Sequence, residues 1–147
     1  MTIDRFEDLD TYKLAVELRR EVFKLSSKGP VTRDYKFVTQ IRDAARGGPR
    51  NISEGFSRFK PKEFVNFLSY AKASIDETKN HIQDGLECGY FTDEECARLL
   101  VLVRRTLGAI RGLMRYLESP EAALAFERIR KAGGSPSRRR NPGTSNP

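Results

Sequence analysis

The chain contains no tryptophan, one histidine and two cysteines, and each scarcity removes a class of chemistry. Cys88 and Cys96 flank a turn, and with the single distant His81 they supply no metal-ligand spacing. A disulfide between them is unusual in a reducing cytoplasm, so both read as ordinary, partly buried thiols. No apolar run approaches the roughly 18 residues of a membrane span. The opening MTIDRFEDLD is acidic and lacks the basic start and apolar stretch of a signal peptide. The expected location is therefore cytoplasmic, with no membrane partner. No segment alternates apolar and polar residues with period two, so no strand is expected. Gly47-Gly48 lacks the following lysine and the spacing of a phosphate-binding glycine loop. Ser74, Glu77 and His81 have helical spacing, but no third group marks a nucleophile and base within reach. The expectation is a non-enzymatic protein with no catalytic residues, metal or cofactor.

What remains is helix and positive charge. At 147 residues the chain has the length of one domain with a real core. A first helix is expected over residues 6–27, ended by Lys28-Gly29-Pro30. At about 100° per residue its apolar side chains fall on two sides. Leu9, Tyr12, Val16 and Phe23 make one stripe; Leu14, Ala15, Leu18, Val22 and Leu25 make another. One apolar face suffices for a helix of a small bundle, so the Leu9, Tyr12, Val16 and Phe23 stripe is assigned to an oligomer interface.

A second helix is expected from residue 31 or 32, with Val38, Ile41, Ala44, Ala45, Ile52 and Phe56 on one side. That phase continues across Gly47-Gly48-Pro49, where proline predicts a kink or break. Continuity of the phase favours one kinked helix. Pro61 suits the first turn of a third helix over 61–87, with a core stripe from Phe64 through Leu68, Ile75 and Ile82 to Leu86. Thr92-Asp93-Glu94-Glu95 is a capping box opening a fourth, over 93–118. Four helices with short connections give an all-α, antiparallel, up-and-down four-helix bundle over residues 1–118. Residues 119–132 are a candidate short extra helix. The Gly/Ser/Pro-rich end, 133–147, is expected to be a disordered basic tail.

The net charge is +7, and its distribution matters more than its sum. Lys131, Arg138, Arg139 and Arg140 account for +4, leaving the remainder close to balanced. Locally the pattern is stronger. Arg42, Arg46 and Arg50 recur at four-residue spacing, and Arg58 and Lys60 follow. Arginine matches phosphate with a planar fork, and a row of them can track a sugar-phosphate backbone. Arg104, Arg111 and Arg115 on helix four are candidates to extend that surface. The bland alternative is a solvated face, and the nearby aromatics offer no evident stacking platform. Gln40, Asn51 and Glu54 lie beside the core stripe of helix two. With Ser74 and Glu77 of helix three they are expected to form a buried polar network that sets helix register.

These residues also carry a resemblance. Phe6-Glu-Asp-Leu9 with Tyr12 and Ala15, Gln40-Ile-Arg42-Asp-Ala44-Ala45, and Asn51-Ile52-Ser53-Glu54-Gly55 with Arg58 form its first part. Phe64-Val-Asn-Phe67-Leu68, Ala71, Ser74, Glu77 and Gly89-Tyr90 complete it. Over residues 6–117 the chain resembles the four-helix-bundle family of 23S rRNA intervening-sequence proteins. The accessory variability determinant of diversity-generating retroelements is a similar bundle. The chain departs from the family pattern at Asp43, where a second basic residue is usual. It departs again at Gly47-Gly48, where Ser-Ile is usual; that loss of an apolar anchor is expected to loosen the kink.

The resemblance implies an up-and-down bundle that can assemble into a homopentameric barrel; in the retroelement member, a positive barrel surface binds nucleic acid and the reverse transcriptase. Two readings follow: an oligomeric RNA- or DNA-binding accessory protein, or a structural, protein-docking helical module without direct nucleic-acid binding.

Overall fold

The structure, a computed structural model, describes residues 6–133. Among them are five α-helices and no strand: α1 (Asp10–Leu25), α2 (Tyr35–Ser57), α3 (Pro61–Glu87), α4 (Asp93–Leu117) and α5 (Pro120–Lys131). The tail assigned to residues 133–147 lies outside the described residues except for Gly133.

Local chemistry sets most boundaries. α3 starts on Pro61, whose missing N–H is one that a first helical turn leaves unpaired anyway. The α4 capping box is reciprocal: Glu95 N–H donates to Thr92 Oγ1 at 3.1 Å, and Thr92 N–H to Glu95 Oε1 at 3.0 Å. At α5, the Ala122 N–H donates to the Ser119 hydroxyl at 3.3 Å, with Pro120 opening the helix.

The first two helices differ from expectation at their ends. Phe6–Asp8 is a separate 3-10 turn, and α1 is capped at Ser26. Gly29, at φ 81°, instead precedes a second 3-10 turn, Pro30–Arg33. α2 begins later than expected because the Asp34 carboxylate caps it, accepting from the Phe37 N–H at 3.1 Å.

α1 packs against α2 and α4, and α3 packs against the same two helices; α5 sits on α3 and α4. The core between them holds Leu18, Val22, Ile41, Ile52, Phe64, Leu68, Ile75, Ile82, Leu99 and Ile110. Leu86, expected at the end of the α3 stripe, is exposed instead. Aromatic rings close both ends. At one, Phe56 meets Phe6, Phe59 and Phe64, and Phe59 meets Phe126 of α5 at 6.1 Å. At the other, Phe37 meets Tyr90, Phe91 and the His81 imidazole.

The Gly-Gly-Pro segment does not break α2, which runs through it without interruption. Proline forfeits one backbone hydrogen bond, while the Asn51 amide adds another, donating to the Gly47 carbonyl at 2.8 Å. Gly47, Gly48 and Pro49 are all buried. A Cβ on Gly47 would overlap the Ser74 hydroxyl of α3. One on Gly55 would come within 2.7 Å of Phe67 Cβ and 2.8 Å of the Phe64 ring. Gly47 and Gly55 let the α2 and α3 backbones approach closely, whereas Gly48 has room for a methyl group.

Candidate nucleic-acid interface

A concave surface lined by arginines and free of acids lies where α1 meets α2. A groove of about 340 Å³ is lined by Tyr12, Arg19 and Phe23 of α1 and by Arg46, Pro49, Arg50 and Ser53 of α2. Its position follows from periodicity. Tyr12, Val16, Arg19 and Phe23 recur at four-, three- and four-residue steps, so they share one face of α1. Arg46, Pro49, Arg50 and Ser53 do the same on α2. No carboxylate lines the groove.

Phe23 organises the arginines. The Arg42 guanidinium carbon lies 4.7 Å from the ring centroid and that of Arg46 4.8 Å, both within cation–π range. Arg42 is further tied down: its Nε donates to Ser26 Oγ and its Nη2 to Ser27 Oγ, each at 2.9 Å. It braces the end of α1 against α2, leaving little of its fork for a ligand. Arg46 has a loose ion pair with the exposed Asp43 at 3.7 Å. Arg50 is exposed and has no ion pair with any described residue.

The other expected contacts are dispersed. Arg58 pairs with Glu54 at 3.0 Å and lies over the Phe67 ring at 5.1 Å; Lys60 pairs with Glu63 at 3.9 Å. Arg104, Arg111 and Arg115 are exposed on α4. That helix packs on α1 and α3 and shares at most a marginal contact with α2. Its arginines therefore do not continue the α2 row.

The expected polar network between α2 and α3 does not form. Gln40, Glu54 and Glu77 are exposed. Asn51 and Glu54 bond within α2, to Gly47 and Arg58. Glu77 faces His81 of its own helix at 3.5 Å, and the Ser74 carbonyl accepts from the Thr78 hydroxyl at 2.8 Å.

The interface stripe on α1 is likewise partly used within the chain. Leu9 is 5% exposed and belongs to the core, a correction to its place in an oligomer interface. Tyr12 packs edge-on against Phe6 at 5.0 Å, and Phe23 carries the two guanidinium groups. Val16 is half-buried. Arg19 was not among the expected binding residues. Its place three residues after Val16 and four before Phe23 was the available signal, masked because the stripe was read as purely apolar.

A second polar cluster lies at the α2 start. The Tyr90 hydroxyl donates to Asp34 Oδ2 at 2.7 Å while Asp34 Oδ1 caps α2. The Tyr90 bond, and then the Phe37 N–H, hold the Asp34 carboxyl below the usual range. The same bond raises the Tyr90 phenol. Burial pushes the Cys96 thiol up. Among the described residues no group of three or more His, Cys, Asp or Glu side chains is placed to hold a metal, and no helix is long and apolar enough to cross a membrane.

Helices packed in a closed cycle, with a basic groove between two of them and no carboxylate in its lining, define a small all-α protein. The chain belongs to the 23S rRNA-intervening sequence protein family, whose pattern it matches over residues 7–112. This is not a known enzyme family. No curated protein matches the chain.

Proposed function

We propose that the chain is a non-enzymatic, oligomeric accessory protein that binds RNA, or RNA and DNA, through the arginine-bordered side of α1 and α2. The observation that carries this reading is the groove itself: Arg19, Arg46 and Arg50 converge on one concavity from two helices, with no acid among them. A phosphate chain is the abundant cellular polyanion that arginine forks fit. The family name, which refers to an intervening sequence in 23S rRNA, is in keeping with an RNA setting. In this reading α1–α4 form an antiparallel, up-and-down bundle, with α2 kinked at Pro49 and α5 appended. The cyclic packing order supports that arrangement. Assembly into a homopentamer and service to a reverse transcriptase come from the likeness to retroelement accessory proteins, and both belong to the same proposal.

The test is fluorescence anisotropy with a structured RNA hairpin at low salt. Arg19→Ala, Arg46→Ala and Arg50→Ala should each weaken binding, and each should reduce the dependence of log K on log salt by about one. Arg42→Ala should change binding less, since that side chain is committed to Ser26 and Ser27. Unchanged affinity in the Arg19/Arg46/Arg50 triple variant would sink the site assignment.

A docking module without nucleic-acid binding is the second reading. It is favoured by Val101, Tyr116 and Leu124, apolar or aromatic side chains exposed on α4 and α5. Absence of any RNA binding at low salt, with a monodisperse homo-oligomer by light scattering, would support it.

A further inference from the structure

We propose that the α1–α2 groove takes nucleic acid by its phosphates alone, reading no base, and that Phe23 is the positioning residue that holds its arginines ready. This rests on the nucleic-acid reading above and specifies the ligand chemistry of the same groove.

Adenine and cytosine edges are read by an amide or a carboxylate, unpaired bases by stacking on an open aromatic face, and guanine by an arginine fork. Of these the groove offers only the arginine fork, which fits a phosphate equally. Its lining contains no Asn, Gln, Asp or Glu. Its two rings are already engaged. Phe23 sits against the guanidinium groups of Arg42 and Arg46, and Tyr12 has its edge contact with Phe6. What the groove does present is three arginines with the hydroxyl of Tyr12, all groups that can donate to phosphate oxygens, while the Ser53 hydroxyl donates to the Arg50 carbonyl at 3.0 Å.

Phe23 supplies order to that set. A free arginine loses rotamer freedom when it grips a ligand, and holding it in place beforehand removes part of that cost. The ring fixes Arg46 directly. It also fixes Arg42, which the Ser26 and Ser27 hydroxyls then lock as a second cation beside the groove. The aromatic ring thus acts through the arginines, without touching the ligand itself.

The experiment measures full-length protein binding to labelled oligo-A, oligo-U and oligo-C and to a guanine-rich single-stranded RNA, since guanine is the base an arginine fork can read. Phe23→Leu keeps an apolar side chain but no π face; Phe23→Tyr keeps the face. Phe23→Leu should weaken all four probes by one common factor, roughly threefold to tenfold for the loss of two cation–π contacts. Phe23→Tyr should restore wild-type affinity on all four. If Phe23→Leu proves unfolded by its thermal melt, Arg46→Lys replaces it, keeping the charge and losing the planar fork. A loss confined to one oligomer would show base readout and overturn the proposal, as would an unchanged affinity.

Wild-type protein that binds none of the four probes would remove the nucleic-acid reading. Titration with inorganic tripolyphosphate then decides the phosphate seat separately. Shifts in the Arg19, Arg46 and Arg50 Nε–H resonances keep it, and their absence ends it.

Discussion

α2 has two working faces, and they are built in opposite ways. Toward α3 the contact depends on side chains that are missing: Gly47 lies against Ser74, and Gly55 against Phe64 and Phe67. Toward α1 it depends on long side chains that reach across: Arg42 and Arg46 extend to Phe23 and leave a groove open beneath them. The glycine face closes directly on α3, and the arginine face leaves a groove open. A single helix can thus be anchored rigidly on one side while presenting charge on the other. Packed interiors respond steeply to added volume, whereas exposed surfaces respond little.

That contrast can be broken, and the largest effect should come from the glycine face. Gly55→Ala puts a methyl group against Phe67 and Phe64, and Gly47→Ala puts one into Ser74. Each should destabilise the fold by about 1–3 kcal/mol in chemical denaturation. Replacing Ser74 by Gly beside Gly47→Ala should recover part of that loss, a coupling that a double-mutant cycle would read. Equal stability of Gly55→Ala and wild type would show that the helices are not held at this distance.

Next in size is the cap of α2, which both faces need. Asp34→Asn should lower the thermal midpoint at neutral pH, because the carboxylate holds both the Phe37 N–H and the Tyr90 hydroxyl. The sign with pH follows from the lowered carboxyl. Its contribution is fully present above the ordinary carboxylate range and is lost as pH falls through the depressed folded value. The gap between wild type and Asp34→Asn should therefore close in acid. Since the Tyr90 phenol is raised, its contribution is present below the ordinary phenol range and fades as pH rises through the folded value. A gap that stays constant from neutral pH into acid would remove the role of the charge.

Gly48 tests how local the glycine rule is. A Cβ there would meet Ile75 at 3.4 Å and Ala15 at 3.6 Å, which is ordinary contact. Gly48→Ala should stabilise, by up to about 1 kcal/mol, because alanine loses less backbone freedom in a helix. The smallest effect should be on the arginine face. Arg50→Ala should leave stability within about 0.5 kcal/mol of wild type while weakening RNA binding. A large loss of stability there would make the groove part of the structural framework and erase the difference between the two faces.

Much of the helical layout was legible before any coordinates. Pro61 and the Thr92–Glu95 box are local devices, and both open their helices at the expected residues. The later start of α2 has a local cause: the Asp34 carboxylate caps the Phe37 N–H three residues on, with Thr32 and Arg33 held in the preceding 3-10 turn. Only the Tyr90 bond that steadies Asp34 comes from 56 residues away. The candidate site was half legible. The arginine row of α2 stands out in the sequence by its spacing. Its partners Arg19 and Phe23 were hidden in a stripe read as apolar, and the polar strip of Gln40, Asn51 and Glu54 was credited with a network that its own helix satisfies.

The sequence by itself determined that the chain is helical, where α3 and α4 begin, and that α2 carries positive charge in register. Those properties depend on residues within a few positions of each other, where propensity, capping and periodicity operate. Tertiary structure alone decided what Gly47 and Gly55 are for, which arginines are committed and which are free, and that Phe23 serves charge. Each of those depends on the distance between two helices. That distance is set by every side chain at the contact together, so no single stretch of sequence contains it.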